Sequence, residues 1–287
     1  MKKINELDSI VYQKALNHVI QHSTYDESVE YGINLILAGK GNKAGCLRSL
    51  RGYAEANAIV AWFRDNDLLK FKEWSFIEAK LKRMVLQCNP NEWFPAYEFF
   101  HAILSDQQEI ISWYTQFKLP YCSSAGAIKD RDNPKRSDFH GYQILLALNG
   151  EWDELRQRCE LILSLDLKKD KKYLIDHRFY LALANGDQRE IENVLTELTS
   201  PKIAKVRNYE FAFTFTEHFI STFATLYAKL AWMSGYEVQI DTPYIPKEWL
   251  PITPLNSYPE PWKFMQDFEI FTPLDEPWQM FSPKVLI

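Results

Sequence analysis

His18 and His22 are the first side chains in the chain whose types and spacing could serve chemistry. Four residues apart, they would face one way on a helix, as paired zinc ligands do. Val19, Ile20 and Gln21 lie between them, so the glutamate of a zinc-protease motif is missing and the pair reads as surface polar residues. A glycine-spaced stretch, Gly39-Lys40-Gly41-Asn42-Lys43-Ala44-Gly45, invites comparison with a phosphate loop. It lacks the terminal Gly-Lys-Ser/Thr of that motif and no strand precedes it, so a helix–helix turn is the better reading. Glu217-His218 places a carboxylate beside an imidazole, the elements of a general acid–base pair. On a helix such neighbours diverge by about 100°, which argues for structural, hydrogen-bonded roles instead. The charged run Lys129 to Arg136, with Asp130 and Asp132 around Asn133-Pro134, reads as a solvated loop. The chain is therefore expected to have no catalytic residues, no metal and no cofactor, and not to be an enzyme.

The elements that would carry any site are helical. Ile4, Leu7, Val11, Ala15 and Val19 form one apolar stripe at helical spacing, and Val29, Ile33, Ile36 and Leu37 a second. Leu47, Leu50, Ala54, Ala58, Ala61 and Phe63 mark a third helix, whose alanines invite close approach by a neighbour. A fourth runs from Leu68 to Leu86 and stops before Asn89-Pro90. The apolar run from about Tyr209 to Ser234 reads as one long central helix.

Composition agrees with this. The 287 residues are 46% hydrophobic, 25% charged and 15% aromatic, the balance of an ordinary globular protein. Only 10 glycines are present, too few for a turn-rich sandwich. The net charge of −5 comes from residues 237–287, where eight acids face three bases; the first 236 residues are formally neutral. No basic face is offered to nucleic acid, and a basic protein would suit the acidic end better. The cysteines Cys46, Cys88, Cys122 and Cys159 form no CxxC pair and read as small buried hydrophobes in a reducing compartment. Lys2 and Lys3 are followed by no apolar stretch, so no signal peptide is expected. Glu217, His218 and Lys229 interrupt the most apolar region, so no membrane span is expected either. A cytoplasmic location follows as the expectation.

A degenerate repeat occupies the middle of the chain. Gly141 to Leu155 aligns with His177 to Ile191 at an offset of 36 residues, with Asn149-Gly150 falling on Asn185-Gly186 and Glu154 on Glu190. A looser copy spans Tyr97 to Phe117, with Ser105-Asp106 at the Asn-Gly place. Each copy reads as an apolar helix closed by a residue able to take positive φ, followed by acids that open the next helix. Such units stack as helical hairpins. Their turns would line one edge, giving a partner-binding surface of Trp152, Asp153, Glu154, Asp187 and Glu190.

Nine of the 14 prolines lie between Pro243 and Pro283. That density excludes long helices and central strands and predicts an extended tail, with a short strand possible at Glu237 to Ile240. Trp249 and Trp262 within it are added to the candidate partner-binding residues. The expected architecture is all-α: a helical-hairpin domain over 1–236, and an acidic Pro/Trp-rich extension over 237–287 packed on it.

From Leu226 to Pro251 a helix closes at Gly235, a β-like stretch follows, and Asp241 leads into Pro243-Tyr244-Ile245-Pro246. This resembles the C-terminal region of the immunity protein 49 family, all-helical proteins encoded beside bacterial polymorphic toxins. The resemblance implies a non-enzymatic antitoxin that binds one cognate toxin domain, basic on charge grounds, in the cytoplasm. It transfers no functional residues and fixes no oligomeric state. The alternative is a helical scaffold or regulator that binds an unrelated protein or peptide.

Overall fold

The computed structural model describes residues 9–89, 96–116, 132–134, 137–166, 171–210, 213 and 215–274. Among them the secondary structure is helical and contains no strand. Two compact units form. One comprises Met1–Ala15, Trp93–Phe100 and Phe117–Ile252; the other comprises Leu16–Glu92, His101–Gln116 and Thr253–Ile287.

The second unit is built on α3 (Lys43–Phe63) and α4 (Leu68–Cys88), an antiparallel pair whose alanine-lined contact includes Ala54, Ala58 and Ala61, all buried. Helix α1 (Ser9–His22) precedes α2 (Glu27–Leu37), which packs on α3. The glycine-spaced stretch is the turn between α2 and α3, with Gly39 and Gly41 at φ 64° and 70°. Asn42 caps α3 through the Gly45 amide at 3.0 Å. Short helices α5 (Phe100–Leu104) and α6 (Gln108–Gln116) form the looser hairpin. Asp106 takes φ 58° at the position where the other copies have glycine.

Helix α4 departs from its sequence pattern. Its lysines and arginine should face water, yet Lys72, Lys80, Lys82 and Arg83 are all buried. For Lys72, Lys80 and Arg83, residues 253–274 account for this by lying along the helix as a strap. The Lys72 ammonium donates to the Thr253 carbonyl at 2.6 Å and to Asp106 Oδ2 at 2.7 Å, and Asp106 also accepts from the Thr253 amide. Lys80 pairs with Glu260. Arg83 donates to the Ile270 and Thr272 carbonyls and stacks over Trp113 at 4.2 Å, and Gln87 donates to the Pro273 carbonyl. Buried cations are tolerable only when paired and hydrogen-bonded in this way. Phe264, Met265 (in α13, Lys263–Gln266), Phe268 and Ile270 supply the apolar side of the strap.

The first unit holds two hairpins, α7 (Ser137–Leu148) with α8 (Trp152–Ser164), and α9 (Leu174–Asn185) with α10 (Gln188–Leu198). Helix α9 packs between α8 and α10. Short α11 (Pro201–Arg207) follows, then α12 (Thr222–Met233), which packs on α10.

Two expectations are corrected here. The central helix starts at Thr222, not near Tyr209: Phe215 sits at φ 67°, Thr216–His218 forms a single 3-10 turn, and Ser221 is extended. An apolar run lacking a 3.6-residue stripe did not signal these breaks. The segment Glu237 to Ile240 forms no strand: the Val238 amide turns back onto the Tyr236 carbonyl at 2.9 Å, with Val238 and Ile240 buried and Gln239 exposed. Its alternation comes from packing, and among the described residues it has no neighbouring strand to pair with. Of the cysteines, Cys159 is buried while Cys46 and Cys88 are half-buried, and all three are free thiols; Cys122 lies outside the described residues.

Candidate partner-binding surface

The two hairpin turns of the first unit are built alike. Gly150 and Gly186 take φ 68° and 69°, a region open to glycine at little cost. The following amides close the same loop, Glu151 onto the Leu146 carbonyl and Asp187 onto Ala182, each at 2.9 Å. Asp187 then caps α10 through the Glu190 amide at 3.0 Å. Arg156, one turn into α8, donates to Asn185 Oδ1 at 2.8 Å and to the Ala184 carbonyl at 3.0 Å. A cation thereby satisfies the C-terminal carbonyl end of the next hairpin's first helix.

Trp152 is half-buried, its indole lying against Gly150. Asp153 is exposed, with 91% of its side chain accessible, and pairs with Arg156 at 2.7 Å. Glu154 is exposed beside it. Glu190 accepts from Arg178 at 2.8 Å, which is the chief reason its carboxyl is held below the usual range. These residues and Asp187 share the turn ends of two successive hairpins. The second turn is partly covered: the Tyr236 hydroxyl lies over Gly186, Gln188 donates to the Glu237 carbonyl, and the Gln239 amide donates to Glu192. Trp262 belongs to the other unit, where it is half-buried and stacks on Phe264 at 5.6 Å.

Trp249 does not belong to any surface. It is 0% exposed and packs edge-to-face on Phe100, while Lys229 holds its carbonyl at 3.0 Å. The 3-10 turn Lys247–Trp249 swings the ring inward, and no local pattern in the sequence reveals that.

The hairpins also enclose polar nodes that the sequence reading missed. His177 Nε2 lies 2.7 Å from His140 Nδ1, and its Nδ1 lies 3.3 Å from the Gln143 amide. Arg158 donates to Gln143 at 3.0 Å and Asp132 at 2.9 Å, and its guanidinium stacks over Phe139 at 4.1 Å. Burial foremost, then His140 and Arg158, push the His177 imidazole well below its ordinary pKa. Burial likewise pushes the Cys159 thiol up to about 12. Further along, Arg207 donates to both Asp176 oxygens at 3.0 Å, and the Tyr227 hydroxyl donates to the same carboxylate at 2.9 Å. A signal was present: Arg158 lies in phase with Leu155, Cys159 and Ile162 on the apolar stripe of α8, where a solvated arginine would not stand.

Residues 141–249 match the family model of Immunity protein 49. The resemblance carried by Leu226 to Pro251 is thus borne out and extends upstream through both hairpins, α11 and α12. No curated protein and no solved structure matches the chain. The immunity protein 49 match supports an immunity role in general, in a family that is generally non-enzymatic.

Within the immunity protein 49 segment, Glu217 and His218 do meet, contrary to the helical expectation. The 3-10 turn brings Glu217 Oε1 within 3.6 Å of His218 Nε2, with Glu217 buried and His218 partly exposed. Asn208 donates to the Glu217 carbonyl at 3.4 Å, so the turn is tied to the end of α11. Of the charged run Lys129 to Arg136, only 132–134 are described; Asp130 lies outside the described residues, and Asp132 serves Arg158. His18 and His22 sit 3.2 Å apart through their Nε2 atoms on α1. Among the described residues no group of three His, Cys, Asp or Glu side chains could hold a metal ion, and no helix is long and apolar enough to cross a membrane.

Proposed function

We propose that the chain is an immunity protein that binds one cognate toxin domain in the cytoplasm and blocks it by occupancy, without chemistry of its own. The observation that carries this reading is the coincidence of the family match, 141–249, with the two stacked hairpins and the helix that packs on them. A stack pinned internally by Arg156, Arg158 and Arg207 is a rigid body, and rigid scaffolds bind with little ordering cost.

The turn edge, comprising Trp152, Asp153, Glu154, Asp187 and Glu190, is the contact surface this reading favours in the first unit, with Trp262 as the candidate in the second. Trp152 offers a large ring already partly fixed against Gly150, and the carboxylates beside it fit a basic partner. The test is co-expression with the toxin domain encoded in the neighbouring reading frame. Growth rescue by the wild type, lost on Asp153→Lys/Glu154→Lys with the fold retained, is the expected result. Failure of the wild type to rescue, together with no complex on co-purification, would reject the immunity reading in favour of a scaffold with an unrelated partner.

A further inference from the structure

The outer face of α2 in the second unit carries a set of side chains that the fold does not use. Val29, Gly32, Ile33 and Ile36 point inward and are buried. Glu27, Glu30, Tyr31, Asn34 and Leu37 recur at helical spacing on the opposite side, all exposed. Tyr31 is 66% exposed and makes no hydrogen bond or ring contact within the described residues. Tyr25, just before the helix, is 56% exposed, yet its ring is fixed. It meets Tyr53 edge-on at 6.2 Å, and Tyr53 meets Trp74 at 5.5 Å.

The acids admit a local explanation, since carboxylates in a first turn favour the helix dipole. Asp26 is consumed in this way, accepting from the Ser28 and Val29 amides at 3.0 and 3.1 Å. Tyr31, mid-helix, is not explained by it. Neither Glu27 nor Glu30 has a cationic partner among the described residues. The exposed Tyr31, one turn from Glu27 and next to Glu30, forms with these unneutralised carboxylates a surface suited to cations: a guanidinium can lie over the tyrosine face while pairing with a neighbouring carboxylate. Tyrosine has only two side-chain torsions to fix on contact and is enriched where binding energy concentrates.

We infer that the Glu27–Glu30–Tyr31 face of α2 is a docking surface for an arginine- or lysine-rich face of a protein partner. This rests on the immunity reading, with the toxin domain as that partner. It adds a contact lying outside the family-matched segment.

The experiment titrates the full chain with the neighbouring-frame toxin domain in low and high salt, using Tyr31→Ala and Glu27→Lys/Glu30→Lys. All three positions are exposed, and thermal unfolding of each variant verifies the fold. A tenfold or greater loss of affinity for Tyr31→Ala is expected, together with weaker salt dependence and slower association for the lysine pair. Wild-type binding with both variants unchanged would overturn this inference and leave the immunity reading standing. No wild-type binding at all would overturn both.

Discussion

Arg156 on α8 donates to Asn185 at the end of α9, so the second helix of one hairpin closes the first helix of the next. The link sits at the aligned Asn-Gly turns and shows what the 36-residue offset encodes. Each copy contributes a glycine that lets its own helix end, and the stack is tied by a side chain crossing between copies.

The two glycines separate conformational strain from crowding. Both have positive φ, so alanine at either should cost ~1–2 kcal/mol. A Cβ on Gly150 would meet Trp152 at an ordinary 3.6 Å, but on Gly186 it would meet the Tyr236 hydroxyl at 2.9 Å. Gly186→Ala should therefore lower the urea midpoint more than Gly150→Ala, and Tyr236→Phe should recover part of the difference. Equal midpoints would mean that Tyr236 does not press on the turn.

The Asp176–Arg207 pair should be the costliest polar contact in the first unit to break. Burial works against the Arg207 charge, yet Asp176 foremost, with Tyr227 and Glu210, outweighs it and raises the guanidinium above its ordinary pKa. Removing one partner leaves the other buried and unmatched, so Asp176→Ala is expected to lose ~3–5 kcal/mol. The double change Asp176→Leu/Arg207→Met should recover much of that. A single-variant loss under 1 kcal/mol in chemical denaturation would show the carboxylate to be solvated.

Stability should depend on the His177 node at mildly acid pH. Its folded-state pKa is depressed, so the unfolded chain takes up the proton first. The node's contribution is complete above the unfolded value of ~6.5 and is lost as pH falls below it. His101 in the other unit behaves oppositely. Burial lowers its pKa but Glu78 and Glu55 outweigh that and raise it, so its contribution holds at low pH and fades as pH rises. Urea midpoints at pH 7.5 and 5.5 should differ less in His177→Gln than in the wild type. An unchanged pH dependence would remove His177 as the cause.

Asp106 tests the strap. It accepts φ 58°, which glycine would relieve, yet it holds Lys72 and the Thr253 amide. If the strap is part of the second unit, Asp106→Gly should destabilise despite the relaxed backbone, and proteolysis after residue 253 should accelerate. A more stable, equally resistant variant would show that strain outweighs the lock.

What the sequence made legible was local. The stop at Asn89-Pro90, the glycine turn after α2 and the paired Asn-Gly turns all follow from backbone preferences of single residues, and the structure has them in place. What it hid was decided by distant partners. Nothing local announces the burial of Lys72, Lys80 and Arg83, because their acceptors, the Thr253 carbonyl, the Glu260 carboxylate and the Ile270 carbonyl, lie some 180 residues away in the chain. Trp249 reads as a surface anchor because nothing nearby announces Phe100 or Lys229. The run before Thr222 reads as helix because its phenylalanines hide the left-handed Phe215. The turn-edge candidates follow from the repeat, whereas the exposed face of α2 carries no repeat or motif that singles it out.

The central claim is inhibition by occupancy. Toxin activity should be titrated with the purified chain at toxin concentrations well above the dissociation constant. The account predicts a linear fall to an equivalence point at a fixed small-integer ratio, independent of incubation time, with both proteins recovered unmodified. Progressive inactivation by substoichiometric amounts of the chain would contradict it, because only turnover could produce that result.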